Sequence, residues 1–110
     1  MTNAKMSAAV IGLVAERFKA LGEPARLEIL NCLRAGEMTV SELVERTGLG
    51  QANVSKHLQF LYRAEFVKRR KEGVFIYYAL ADKNVFTLCD LMCGRIERAM
   101  ASRQKALAAR

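Results

Sequence analysis

The stretch TVSELVERTGLGQANVSKHLQFL, residues 39–61, decides how the whole chain is read. Thr39 and Glu42 stand at the spacing of a capping box, in which a hydroxyl and a carboxylate satisfy each other's unpaired backbone amides at a helix start. Val40, Leu43 and Val44 turn inward, and Gly48 closes the element. After only Leu49 and Gly50 the apolar stripe resumes as Val54, Leu58 and Leu61. Two short helices joined by a tight glycine-containing turn form a helix-turn-helix.

The outward side of the second helix carries Gln51, Asn53, Ser55, Lys56, His57 and Gln59. In this motif the first residues of the second helix enter the major groove, and Gln and Asn can each pair bidentately with adenine. Gln51, Asn53, Ser55 and Lys56 are therefore the candidate readers. His57 and Gln59 lie further along, where phosphate contact or plain solvation is the commoner role. The bland alternative for the whole face is a solvated polar surface.

Moving outward, Val10, Leu13, Val14, Phe18 and Leu21 predict an amphipathic helix over about 7–21, ended by Gly22. Pro24 suits a first helical turn, Leu27, Leu30 and Leu33 repeat inward, and Gly36 supplies a stop. Beyond the central pair, FVKRRKEGVFIYYAL (66–80) holds two β-prone runs, 66–71 and 74–80, separated by Glu72 and Gly73. That pattern is a hairpin, or wing, directly after the helix-turn-helix. Its cations Arg69, Arg70 and Lys71 suit DNA phosphates, although charged strand edges also serve to prevent unwanted pairing. From about Asp82, the stripe Val85, Leu88, Cys89, Met92, Cys93, Ile96 and Met100 predicts a long last helix that frays towards its end.

Composition agrees with a single folded domain over residues 1–110: the chain is 52% hydrophobic, with one Pro and seven Gly. Lys and Arg number 18 against 11 Asp and Glu, a formal charge of +7. The pI is about 9.7, in the range of nucleic-acid-binding domains. Acidic Glu37, Glu42 and Glu45 precede Gly48, whereas the basic residues gather after it. No apolar window reaches the roughly 18 residues of a membrane span and no export signal is evident, so a cytoplasmic protein without membrane contact is expected. With one His, no glycine-rich phosphate loop and no paired nucleophile and base, neither enzymatic activity nor an obligatory cofactor is expected.

Three blocks, LGEPARLEILNCL (21–33), MTVSELVERTGLGQANVSKHLQFL (38–61) and VKRRKEGVFIYYAL (67–80), resemble the ArsR/SmtB family of winged-helix repressors, and the likeness covers about residues 15–80. The resemblance implies a mainly α fold with a small β-hairpin: four helices, two strands and a fifth helix, forming a homodimer through the first and last helices. It also implies a double-stranded operator that is an imperfect inverted repeat, and release when an inducer binds. One departure is Glu65, at a position where relatives carry Gly and left-handed geometry is wanted; local strain of roughly 1 kcal/mol or a shifted cap follows.

Sensor sites known in the family can be compared residue by residue. Thr39 and Ser41 occupy the places of the paired cysteines of the third-helix arsenic or cadmium site. Asp82, Asn84, Arg95 and Arg98 stand where the last-helix zinc type needs Asp, His, His and an acidic or His ligand, and arginine cannot ligate zinc. Sulfur remains: Cys89 and Cys93 share one helical face, and Cys32 lies on the second helix. Three converging thiolates would suit trivalent arsenic or antimony, or another thiophilic metal, as inducer. Cys32 with Cys89 or Cys93 also resembles the arrangement of the family's persulfide and oxidant sensors. The plainer alternatives are cysteines that only pack, and a winged helix serving protein interaction.

Overall fold

The computed structural model describes residues 5–109 and begins with helix α1, Ala8–Leu21, whose cap is the side chain of Ser7 accepting from the amide of Val10. Helix α2, Pro24–Cys32, follows and passes into a 3-10 turn at Leu33–Ala35, where Gly36 at φ 137° stops it. The next elements are β1 (Met38–Thr39), α3 (Val40–Thr47), α4 (Gln51–Arg63), β2 (Val67–Glu72), β3 (Phe75–Leu80) and α5 (Val85–Ala108). The mainly α architecture with a wing matches the order expected from the sequence.

Thr39 and Glu42 close both halves of the expected capping box: Glu42 donates its amide to Thr39 Oγ1 at 3.2 Å, and Thr39 donates its own to Glu42 Oε1 at 3.0 Å. Gly48 ends α3 at φ 74°, the left-handed position that a side chain disfavours. Two details differ from the sequence reading. The wing's two-residue loop is Gly73–Val74 rather than 72–73, because Glu72 pairs with Phe75 in the ladder and Gly73, at φ 62°, takes the first loop position. A third strand was also not anticipated: β1 pairs antiparallel with β3, giving the sheet order β1-β3-β2. The last helix runs through Ala108.

The core lies between α2, α3, α4 and the sheet. Ile29, Leu30, Leu33, Leu43, Val54, Leu58 and Leu61 are buried in it, with Val67 and Tyr78 closing the side of the wing. Helix α5 behaves differently. It has 24 residues, about 36 Å of helix at 1.5 Å per residue, and Val85 is its one buried residue among those described. Its start is fastened by Arg34, which donates to Asp90 at 3.1 Å and lies 3.8 Å from the Phe86 ring centroid.

Helix α4 ends in a Schellman turn: the amide of Phe66 donates to Leu61 O and that of Glu65 to Tyr62 O. Glu65 is thereby held at φ 66°, the left-handed conformation anticipated for it and the one positive φ outside glycine among the described residues. Its carboxylate accepts from Arg17 at 3.1 Å, but both side chains are exposed, so the pair offsets little of the strain. Glu65→Gly is therefore expected to raise stability by roughly 1 kcal/mol, read as a higher urea midpoint. An unchanged or lower midpoint would show that the turn carries no strain.

Candidate nucleic-acid interface

Helix α4 divides cleanly along its length. Val54, Leu58 and Leu61 are fully buried, whereas Gln51, Asn53, Lys56 and Gln59 are exposed on the opposite side. Ser55 and His57 are half-buried flanks. Gly50 caps the helix without a side-chain hydrogen bond, so the first-turn amides are left to other partners, and the helix dipole presents its positive end there.

His57 faces α2 rather than open solvent, with Nδ1 3.4 Å from Arg26 Nη1. Arg26 is a junction: it donates to Ala20 O at 2.7 Å and Lys19 O at 2.9 Å, closing the end of α1, and its guanidinium lies 4.2 Å from the Phe60 ring centroid. Partial burial first, then the charge of Arg26, push the His57 pKa below its ordinary 6.5; Lys56 acts in the same sense and Glu23 against it. The folded chain thus binds fewer protons here than the unfolded chain, so this contribution to stability is complete above about pH 6.5 and is lost as pH falls below it. Melting temperature is expected to decline between about pH 7 and pH 5.5, and His57→Gln should flatten that decline; an unaltered slope would remove His57 as its cause.

The wing lies against the end of α4. Arg69 stacks 4.1 Å from the Tyr62 ring centroid, and Tyr78, its cross-strand partner, is buried beneath. Lys71 is exposed. Arg70 is employed differently from the phosphate contact expected of it: Nε donates to Glu37 Oε2 at 3.0 Å, Nη2 to Glu37 Oε1 and Nη1 to Glu72, with the Tyr77 ring 4.5 Å away. All three nitrogens are engaged, and the Glu37 carboxyl is held below its usual range chiefly by that bond. Arg70 therefore ties the wing to the segment before β1. Neither Glu37 nor Tyr62 was legible as its neighbour's partner, because the contacts form only once the sheet closes.

The cysteines separate. Cys32 is half-buried against the core, while Cys89 is half-buried and Cys93 exposed on α5. Cys89 and Cys93 line an apolar groove of about 410 Å³ with Phe18, Leu21, Leu27 and Met92. Among the described residues no three His, Cys, Asp or Glu side chains come together to hold a metal ion. The expected convergence of all three thiolates is thus corrected for the single subunit: Cys32 packs against the core and is not among the residues lining that groove. The Cys93 thiol donates to Glu97 Oε1 at 3.4 Å, and this bond to a carboxylate is the main reason its pKa is raised.

No helix among the described residues is long and apolar enough to cross a membrane. Residues 23–69 match the model of the arsR family of bacterial regulatory proteins. The chain is 38% identical over 63 residues to the transcriptional repressor SdpR of Bacillus subtilis, covering 57% of this chain and 70% of that one. Its fold superposes on the homodimeric winged helix-turn-helix DNA-binding domain Mb0332 of Mycobacterium bovis with a TM-score of 0.74 at 32% identity, over 88% of this chain and 90% of the other. It superposes equally, at 0.74 and 28% identity, on the antimony-specific transcriptional repressor AntR, over 92% and 93% of the two chains. With its capped helix-turn-helix, basic wing and outward polar helix face, the chain belongs to the ArsR family of winged-helix, DNA-binding transcriptional regulators.

Proposed function

We propose that the protein is a homodimeric repressor that binds an inverted-repeat operator and leaves it when an inducer engages its cysteine thiols. The observation that carries the first part is the division of α4: a fully buried apolar side fixes the helix, and an exposed side offers amides and a cation at Gln51, Asn53, Lys56 and Gln59. Ser55 and His57 flank this side, and Arg69 and Lys71 add backbone contacts from the wing. Arg70 acts as the wing's anchor rather than as a phosphate ligand. The homodimer is supported by the exposed apolar stripes of α1 and α5, including Ile11, Leu13, Leu91, Met92 and Ile96, which a two-fold partner would cover. Selection from a random duplex pool should return two half-sites related by a dyad; sequence-indifferent binding would favour a protein-interaction module instead.

The inducer we favour is a thiophilic ion such as trivalent arsenic or antimony, in keeping with the likeness to an antimony-specific repressor. Cys89 and Cys93, one helical turn apart, supply two thiols. Further ligands would come from the second subunit. A persulfide or oxidant response through Cys32 with Cys89 or Cys93 is the second reading, which the free state of all three thiols permits. Arsenite, antimonite and polysulfide, each added to the reduced protein–operator complex, separate the two readings. Release by one of them, abolished when all three cysteines become Ser, is the expected result; an intact physiological response in that variant would end both.

A further inference from the structure

The end of the wing is apolar where a solvated loop would be polar. Val74 is 88% exposed, the highest value among the large apolar residues described, and Phe75 and Ile76 beside it are 57% and 42% exposed. Val74 stands four residues beyond Tyr78, the buried residue of β3, so the tip projects about 13 Å past the core at the rise of a strand. An exposed Val-Phe-Ile run on a projecting hairpin marks a contact surface, since elsewhere it would invite aggregation.

Two observations say what covers it. The hairpin's base carries Lys68, Arg69, Arg70 and Lys71. The nearby carboxylates, Glu37 and Glu72, are both bound to Arg70, which leaves Lys68, Arg69 and Lys71 as a cationic collar below the tip. An apolar point on a cationic collar complements a polyanion with an apolar interior. The second observation is continuity: β2 begins four residues after α4 ends, and Arg69 on Tyr62 holds the hairpin against that helix. The tip is therefore fixed beside the same ligand that α4 meets.

We propose that Val74 and Phe75 form an apolar wedge that enters the minor groove beside each half-site and opens a base step, bending the duplex. This rests on the operator-binding reading above. Wedging apolar side chains between bases costs unstacking energy, least at flexible pyrimidine–purine steps. The wing would thus select operators by deformability at positions that α4 does not touch.

The test compares the wild-type protein with Val74→Ser/Phe75→Ser and with Val74→Leu/Phe75→Leu, on operator duplexes carrying 2-aminopurine beside each half-site. Both positions are exposed, so the fold is retained in either variant. Wild type and the Leu variant should bend the duplex and brighten the probe. The Ser variant should keep the same footprint, lose both signals and bind about tenfold more weakly, with the salt dependence of binding unchanged. Lys71→Ala, by contrast, should lower the slope of log affinity against log salt by about one. A wild-type footprint on straight, stacked DNA would overturn the wedge while leaving the repressor reading intact. Equal bending and affinity in the Ser variant would overturn it as well, as would a loss of self-association in that variant without DNA, which would mark the tip as a protein contact. No footprint at all would overturn both readings.

Discussion

Replacing Ile96 by Glu is expected to convert the dimer into a monomer and to weaken operator binding by roughly a hundredfold or more. Ile96 lies near the middle of α5 and is 52% exposed in the single subunit, on a stripe with Leu88, Met92 and Met100 that is also exposed. The twelve buried apolar residues of the core include one from α5, Val85, among those described, so a change at Ile96 leaves the winged-helix core untouched. In a dimer joined through α5, as proposed, the same position would become apolar interior, where an unpaired carboxylate is costly to bury. Two half-sites bound by linked subunits gain about a hundredfold to ten-thousandfold in avidity over one, and that gain disappears with the partner. Sedimentation and fluorescence anisotropy give the mass and the affinity, and far-UV circular dichroism shows that the helices persist. A Glu variant that remains dimeric would move the interface off α5.

Asn53→Ala is expected to cost about 1–3 kcal/mol of operator binding, the range of a bidentate amide–adenine pair, or roughly 5- to 150-fold in affinity. Asn53 is exposed and two residues into α4, so stability should change by no more than about 0.5 kcal/mol. Because the amide is uncharged, the salt dependence should stay as in wild type, while preference at one base pair in each half-site relaxes. Lys56→Ala should do the reverse, lowering the salt slope and sparing the preference. An Asn53→Ala protein with undiminished affinity and specificity would place the reading surface elsewhere.

The parts of the fold legible in the sequence are those set by near neighbours in the chain. The Thr39–Glu42 box and the left-handed Gly48 need only local chemistry, and both stand where expected. So does the left-handed Glu65, which the chain must enter at the end of α4 whatever residue is present. The wing's existence was legible but its loop slipped by one residue, since Gly73 serves either loop position and the ladder decides. Strand β1, two residues long, owes its identity to Tyr77 and Tyr78, nearly forty positions away. Separations of 33 and 31 positions likewise hid the employment of Arg70 by Glu37 and the turning of His57 towards Arg26. The cysteine spacing placed Cys89 and Cys93 on one side of α5 correctly, but no local rule brings Cys32 to them.

Between the last helical residue of α4, Arg63, and the first of β2, Val67, the chain changes direction through a single left-handed backbone torsion at Glu65. The two surfaces proposed to meet DNA are thus members of one jointed tool, and the angle between reader and wing is set at that joint. Residues that reject the left-handed region, such as Val or Ile, would alter the angle before they unfolded either part. On the proposed operator reading, the width of each half-site would thus depend in part on a residue outside both the reader helix and the wing.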